Sequence, residues 1–402
     1  VMQSSSDSRQ STTFATGRIG ALELRNRVIR AGCFEGKSQG GNVTEALIEH
    51  HRQVAAGGVA MTTVAYCSVT FDGRAFGHEL WMREEIVPEL ERLTAAVHEE
   101  GAAASIQLGH CGFFANKKEI GQTPIGASPQ ICLYRMARCR EMNQEEISEK
   151  VQAFARAAEM AVEAGFDAVE IHAGHGYLLS QFLSPWTNHR QDRYGGSLEN
   201  RLRFPAQVIR QVRATVGPEY PILVKLNQRD GMKGGLELEE AIQVAQRFEI
   251  EGASALIPSC GFTAKTPLYM MRGNVPTMEM ARNQSNWLMR SGLILFGRFM
   301  VQEYDFEPMY LLQGAREIKG AVQIPVIYVG GVLSLSDIDR ALQEGFGFVQ
   351  VGRATIQDPE FVNKLERGEA QASDCDHCNR CIAAMDAGGV YCVSEEQGYL
   401  KA

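Results

Sequence analysis

A (β/α)₈ barrel is the fold class that this sequence predicts, and three observations predict it. Short β-branched apolar runs recur along the chain, each followed by an amphipathic stretch. The fingerprints of the rival doubly wound sheet are missing: no G-x-G-x-x-G follows a strand, and no G-x-x-x-x-G-K-[ST] occurs. The alternation is interrupted by two long gaps, both just after a strand, where barrels of this kind build their active sites.

Taken in order, the predicted strands are 28–33, 59–69, 104–108, 168–172, 222–227, 255–259, 326–329 and 348–351. They are nearly continuous apolar runs, as expected of parallel strands buried on both faces. Between them lie helical patterns. Over 145–164, Ile147, Val151, Phe154, Ala158 and Val162 recur at spacings of three and four and form one apolar stripe. The segments 236–251, 308–319 and 334–344 behave alike. The gap 112–143 follows the third strand and 261–305 follows the sixth, so long loops are expected there. The second is rich in Met (Met270, Met271, Met278, Met280, Met289, Met300), suited either to filling core gaps or to adaptable substrate contact.

Composition narrows the class. The chain has 402 residues, 45% of them apolar, which is enough for a large core and excludes overall disorder. Its formal charge of −8, from 40 Lys+Arg against 48 Asp+Glu, argues against a general nucleic-acid or anionic-membrane partner. No uncharged apolar run is long enough for a membrane span; Arg290 and Arg298 interrupt the most apolar stretch, 288–300. Residues 1–13 read as a polar tail without the pattern of a secretory signal, 14–370 as the barrel, and 371–402 as a Cys-rich segment. Four of the ten cysteines fall in that segment, which suggests metal or free thiols in a reducing cytoplasm. A homo-oligomer is compatible with this composition.

The chemistry gathers at strand ends. The fourth strand runs into His172-Ala173-Gly174-His175-Gly176-Tyr177. Two imidazoles and a phenol at one strand C-terminus can hold a carbonyl or anionic oxygen and supply a proton. A metal on H-x-x-H is the rival reading, but no carboxylate follows at the expected spacing; packed, satisfied histidines are the bland one. The seventh strand ends at Gly330-Gly331 and the eighth at Gly352-Arg353. Glycines there let backbone N–H groups approach a phosphate, and Arg353 adds a fork suited to it. Tight turns alone are the alternative. Gln107 ends the third strand and Lys225 lies in the fifth, so both would point at the same ligand.

The run from Val169 to Pro185, continuing through Asn188-His189-Arg190-Gln191-Asp192-Arg193-Tyr194-Gly195-Gly196-Ser197, resembles the Old Yellow Enzyme family of NAD(P)H:flavin oxidoreductases. Leu24-Arg25-Asn26-Arg27-Val28, Gln107-Leu108-Gly109-His110 and the late glycines match as well. The resemblance covers roughly 14–370. It implies FMN as the phosphorylated ligand, with its phosphate against Gly330, Gly331, Gly352 and Arg353 and its ring against Gln107 and Lys225. It implies NAD(P)H as co-substrate, His172 and His175 on the oxygen of a small electrophilic alkene, and Tyr177 as proton donor. That is an ene-reductase. Oxidative demethylation or dehydrogenation of amines and non-catalytic FMN binding are the alternatives; storage needs no proton donor. Departures are present. Cys33 stands where relatives carry a hydroxyl that tunes the flavin, and a thiol is the weaker donor. Gly112-Phe113-Phe114 replaces the usual Gly-Arg. Cys375, Cys378, Cys381 and Cys392 resemble the iron–sulfur ligands of the 2,4-dienoyl-CoA reductase subgroup, with one residue fewer between the second and third. An iron–sulfur cluster, zinc with His377 as a substitute ligand, and free structural thiols all stay open, the last being the expectation.

Overall fold

The structure, a computed structural model, describes residues 12–284 and 287–393. Eight parallel strands form the barrel: β1 (Val28–Arg30), β2 (Met61–Ser68), β3 (Ala103–Gly109), β4 (Ala168–Ala173), β5 (Ile222–Asn227), β6 (Ala255–Ser259), β7 (Ile327–Val329) and β8 (Phe348–Val351). Each pairs with the next, β8 pairs with β1, and a parallel bridge between Leu256 and Val326 closes β6 on β7. The connecting helices are α1 (Glu45–Ala56), α2 (Val87–Glu99), α3 (Gln144–Glu163), α4 (Leu198–Val216), α5 (Leu238–Ile250), α6 (Leu312–Gly320), α7 (Leu335–Gln343) and α8 (Phe361–Glu366).

Local chemistry sets the helix starts. Thr44 caps α1 by accepting from the Leu47 amide, and Asn143–Glu146 and Ser334–Asp337 form capping boxes on α3 and α7. Along the strands, alternate residues divide two cores. Val169, Ile171, Val224 and Val349 face the helices. Ala168, Leu223, Ile257, Ile327 and Phe348 fill the lower barrel, where the hairpin Gly17–Ile19/Leu22–Leu24 plugs the end with buried Ile19 and Leu24. Burying each such large side chain stabilises the fold by roughly 1.5–3 kcal/mol. Above that apolar layer the inward residues turn polar: Gln107, Glu170, Lys225 and Gln350.

Some expected boundaries move. β1 stops at Arg30, not residue 33, because the Cys33 amide turns back onto the Ala31 carbonyl at 2.7 Å. The packed chain already begins at Thr12; the rest of the predicted tail, 1–11, lies outside the described residues. Thr13 is buried and donates to Asp339 at 2.8 Å. The loop after β3 carries a small sheet of Ile125–Gly126, Gln130–Cys132 and Ala137–Glu141. The loop after β6 is largely helical, with Thr277–Asn283 and Trp287–Met300. Of its described methionine side chains, Met270 packs half-buried against the main core, Met271, Met280 and Met289 are half-buried and Met278 is exposed. No helix of the described residues is long and apolar enough to cross a membrane.

Candidate active site

The C-terminal ends of the strands meet at the mouth. His172, the last inward residue of β4, is buried, and its Nδ1 accepts from the Gly174 amide at 3.3 Å. A neutral imidazole with Nδ1 as acceptor carries its proton on Nε2. Burial and the nearby His175 and Lys225 hold His172 well below the usual histidine range, so it stays neutral. His175 has a left-handed backbone (φ 57°), locked by its amide donating to Asn227 Oδ1 at 2.9 Å. Its Nε2 lies 2.7 Å from the Ser259 hydroxyl, and burial lowers its pKa to about 3. The two rings stand edge to face, 4.8 Å apart. Tyr177 follows after Gly176, whose φ of +74° and close approach to Phe262 leave no room for a Cβ. The Tyr177 ring is 4.9 Å from that of His172, and burial raises its phenol well above the usual value, keeping it protonated. The predicted trio is therefore brought together, with His172 and Tyr177 in donor form.

Below it sits a polar layer. Lys225 Nζ pairs with Glu170 Oε1 at 2.7 Å, Gln107 donates to the same oxygen, and Gln350 donates to Oε2 at 3.0 Å. A buried carboxylate this well provided for anchors the layer. Cys33 lies beside this group: a Cβ on Gly352 would stand 3.0 Å from its sulfur, and one on Gly32 would stand 2.7 Å from Gln107 Nε2. Gly330 and Gly331 have positive φ (118° and 70°), and a Cβ on Gly331 would meet the Met309 nitrogen at 2.7 Å. Arg353 Nη1 donates at 2.8 Å to both the Arg272 carbonyl and Asn379 Oδ1. The chemistry of this donor set fits FMN: two neutral or cationic donors at the ring layer, and glycine amides with a guanidinium on the far side.

All four terminal cysteines and Arg353 line one small cavity. Among the described residues, no His, Cys, Asp or Glu group is arranged to hold a single metal ion, and all ten cysteines are unbridged. One tetrahedral zinc needs its sulfurs about 2.3 Å from a single centre; a polynuclear cluster spreads its thiolates wider. The four thiols share this cavity without a disulfide, and His377 stacks on Phe306 at 3.5 Å.

Sequence reasoning missed Glu170, Tyr66, Asn227 and Ser259. Glu170 was legible as a lone carboxylate in an apolar strand. Tyr66, whose buried hydroxyl has no partner and whose ring is 5.2 Å from that of Tyr177, carried no signal in a continuous apolar run.

Residues 14–260 match the model of the NADH:flavin oxidoreductase / NADH oxidase family, and 291–397 that of dihydrouridine synthase (Dus). Over 376 residues the chain is 40% identical to a 4,4'-dithiodibutanoate disulfide reductase of Rhodococcus erythropolis, covering 93% of each. A solved 2-naphthoyl-CoA reductase, in complex with 2-naphthoyl-CoA, superposes with a TM-score of 0.81 at 26% identity, over 94% of this chain and 56% of that one. An Old Yellow Enzyme homologue of Zymomonas mobilis superposes with a TM-score of 0.72 at 22% identity, over 90% and 95%, a likeness of fold.

Proposed function

The chain belongs to the NADH:flavin oxidoreductase / NADH oxidase family, an oxidoreductase of the Old Yellow Enzyme type on a TIM barrel, and from that premise we propose that it reduces small electrophilic alkenes such as α,β-unsaturated carbonyls. Gln107, Lys225 and Cys33 would hold the ring of FMN, and Gly330, Gly331, Gly352 and Arg353 its phosphate. When bound, FMN takes hydride from NAD(P)H and passes it to the acceptor. Everything else in the reaction falls to the side chains. His172 Nε2–H, with His175 beside it, donates to the acceptor oxygen and draws electron density from the β-carbon. Those bonds strengthen as negative charge develops on that oxygen, so they favour the transition state over the bound substrate. Tyr177 supplies the proton to the α-carbon, and the developing enolate is basic enough to take it. The observation that carries this reading is the Gly174 N–H to His172 Nδ1 bond, which supports a neutral donor facing the mouth.

A second reading is favoured by the 40% identity to a disulfide reductase. The same site would receive a small organic disulfide, hydride would break the S–S bond, and Tyr177 would protonate the departing thiolate. Anaerobic turnover with 2-cyclohexenone and with a dialkyl disulfide, each against NADH and NADPH, separates the two. Parallel double-reciprocal lines with the enone, and a larger kcat/KM for it, are expected. Turnover of the disulfide alone overturns the alkene reading.

A further inference from the structure

Arg135 lies at the tip of the small sheet after β3, next to the site but outside the catalytic trio. Its guanidinium is packed against two phenyl rings, 4.6 Å from the centres of both Phe76 and Phe114, and 5.3 Å from that of Tyr134. Phe114 in turn lies 6.3 Å from the Tyr177 ring, so the cation sits one aromatic ring beyond the proton donor. Arg135 also lines a cavity of about 350 Å³, together with Gln39, His78, Asn116, Glu119 and Asn283.

The two nitrogens on one edge of this guanidinium, Nε and Nη2, are both buried and have no hydrogen-bond partner. Elsewhere in the chain that same edge holds a carboxylate. Arg210 gives Nε and Nη2 to Glu251 at 2.6 and 2.7 Å, and Arg190 gives them to Asp192 at 3.0 and 2.6 Å. A fork of two parallel donors matches a carboxylate in size and plane, and a desolvated donor edge left without a hydrogen-bond partner is costly. The carboxylates nearby do not supply the missing partner. Glu79 feels the charges of Arg74 and Arg135 but takes its bonds from the Ala75 and Phe76 amides, and burial raises it to about 8. Glu119 is set against Arg74, which donates to its carbonyl at 3.3 Å and feels its charge.

We propose that Arg135 is a specificity-determining residue that receives the carboxylate of a substrate whose reacting end lies at His172 and Tyr177. This deepens the reductase reading and rests on it: the acceptor is an anionic molecule with a carboxylate at the end away from the bond that is reduced. Asn116 and Gln39 line the same cavity and present amides to the polar parts of such a tail.

The test uses the flavin-loaded full chain and needs no turnover. Hexanoate and hexanamide are titrated calorimetrically into the unaltered protein, Arg135→Gln and Arg135→Lys. Unaltered protein is expected to prefer hexanoate over hexanamide by about 10- to 100-fold, the worth of a charge-assisted hydrogen bond. That preference should vanish in Arg135→Gln and fall to an intermediate value in Arg135→Lys, which keeps the charge and loses the fork. A preference that survives both substitutions, or none in the unaltered protein, overturns the proposal. If Arg135→Gln does not fold, Arg135→Lys decides alone, since an undiminished preference there excludes the fork. Should the protein reduce neither enones nor disulfides while hexanoate binding still depends on Arg135, the reaction falls and the subsite stands.

Discussion

One backbone amide decides what His172 can do. Because Gly174 N–H donates to Nδ1, the neutral ring must present N–H at Nε2, and burial keeps it neutral. Tyr177 is likewise held in its protonated form. The roles proposed for them predict a split. Tyr177→Phe should leave the reduction of bound flavin by NAD(P)H nearly intact and slow enone reduction by ~10²–10⁴. Nitroalkenes should suffer less, since a nitronate can leave and take its proton from water. Stopped-flow measurement of the two half-reactions checks this; slowed flavin reduction with enone reduction spared removes Tyr177 as donor. The trio was legible because its members fall within six consecutive residues of one strand end. Its supports were not. Ser259, Asn227 and Tyr66 come from three other strands, and only closure of the barrel brings them in. Arg135 was illegible for the same reason, since nothing local sets it apart from Arg138 and Arg140 in the same hairpin.

Among the elements, the strands and their order were readable from apolar runs alone, because a strand buried on both faces needs nothing else. Ends were less so, as turn hydrogen bonds such as Cys33 onto Ala31 leave no pattern in composition. The helix Trp287–Met300 lay inside what read as loop. Its apolar run was visible, yet two arginines broke the pattern, and Trp287, Leu295 and Phe296 remain exposed. The Cys-rich segment was expected to carry structural thiols, and its four cysteines converge on one cavity, a placement open to thiols alone, to zinc and to a cluster. Anaerobically purified protein is expected to hold neither iron with acid-labile sulfide nor zinc in stoichiometric amounts, and Cys378→Ser to keep its turnover. Stoichiometric iron or zinc that Cys378→Ser loses refutes that expectation.

For the molecule as a whole, buried titratable groups set a stability window. His51, His110 and His172 are buried, and all three titrate below the usual histidine value, mainly through desolvation. The unfolded chain therefore binds protons first, and stability should fall as pH drops below about 6.5. Glu35 and Glu79 are raised by burial to about 7 and about 8, so the folded state holds their protons longer. Their contribution is full below about pH 4.3 and is lost as pH rises toward 8. Thermal unfolding between pH 5 and 9 should show both limbs, and Glu79→Gln should flatten the alkaline one. An unaltered alkaline limb in that variant would mean that Glu79 titrates normally.

Arg353 Nη1 reaches Asn379, which lies between Cys378 and Cys381, while its backbone opens the short helix capped by Gly352 at the end of β8. With the flavin phosphate at Gly352 and Arg353 as proposed, this one residue joins that site to the cysteine cavity, and an occupant of either is coupled to the other. Such coupling is reciprocal. Were a metal bound at the cysteines, stripping it with a chelator should weaken FMN retention, and saturating FMN should slow the chelator. Arg353→Ala should uncouple the two as well as loosen each. Identical FMN affinity before and after chelation would mean that the two regions act independently.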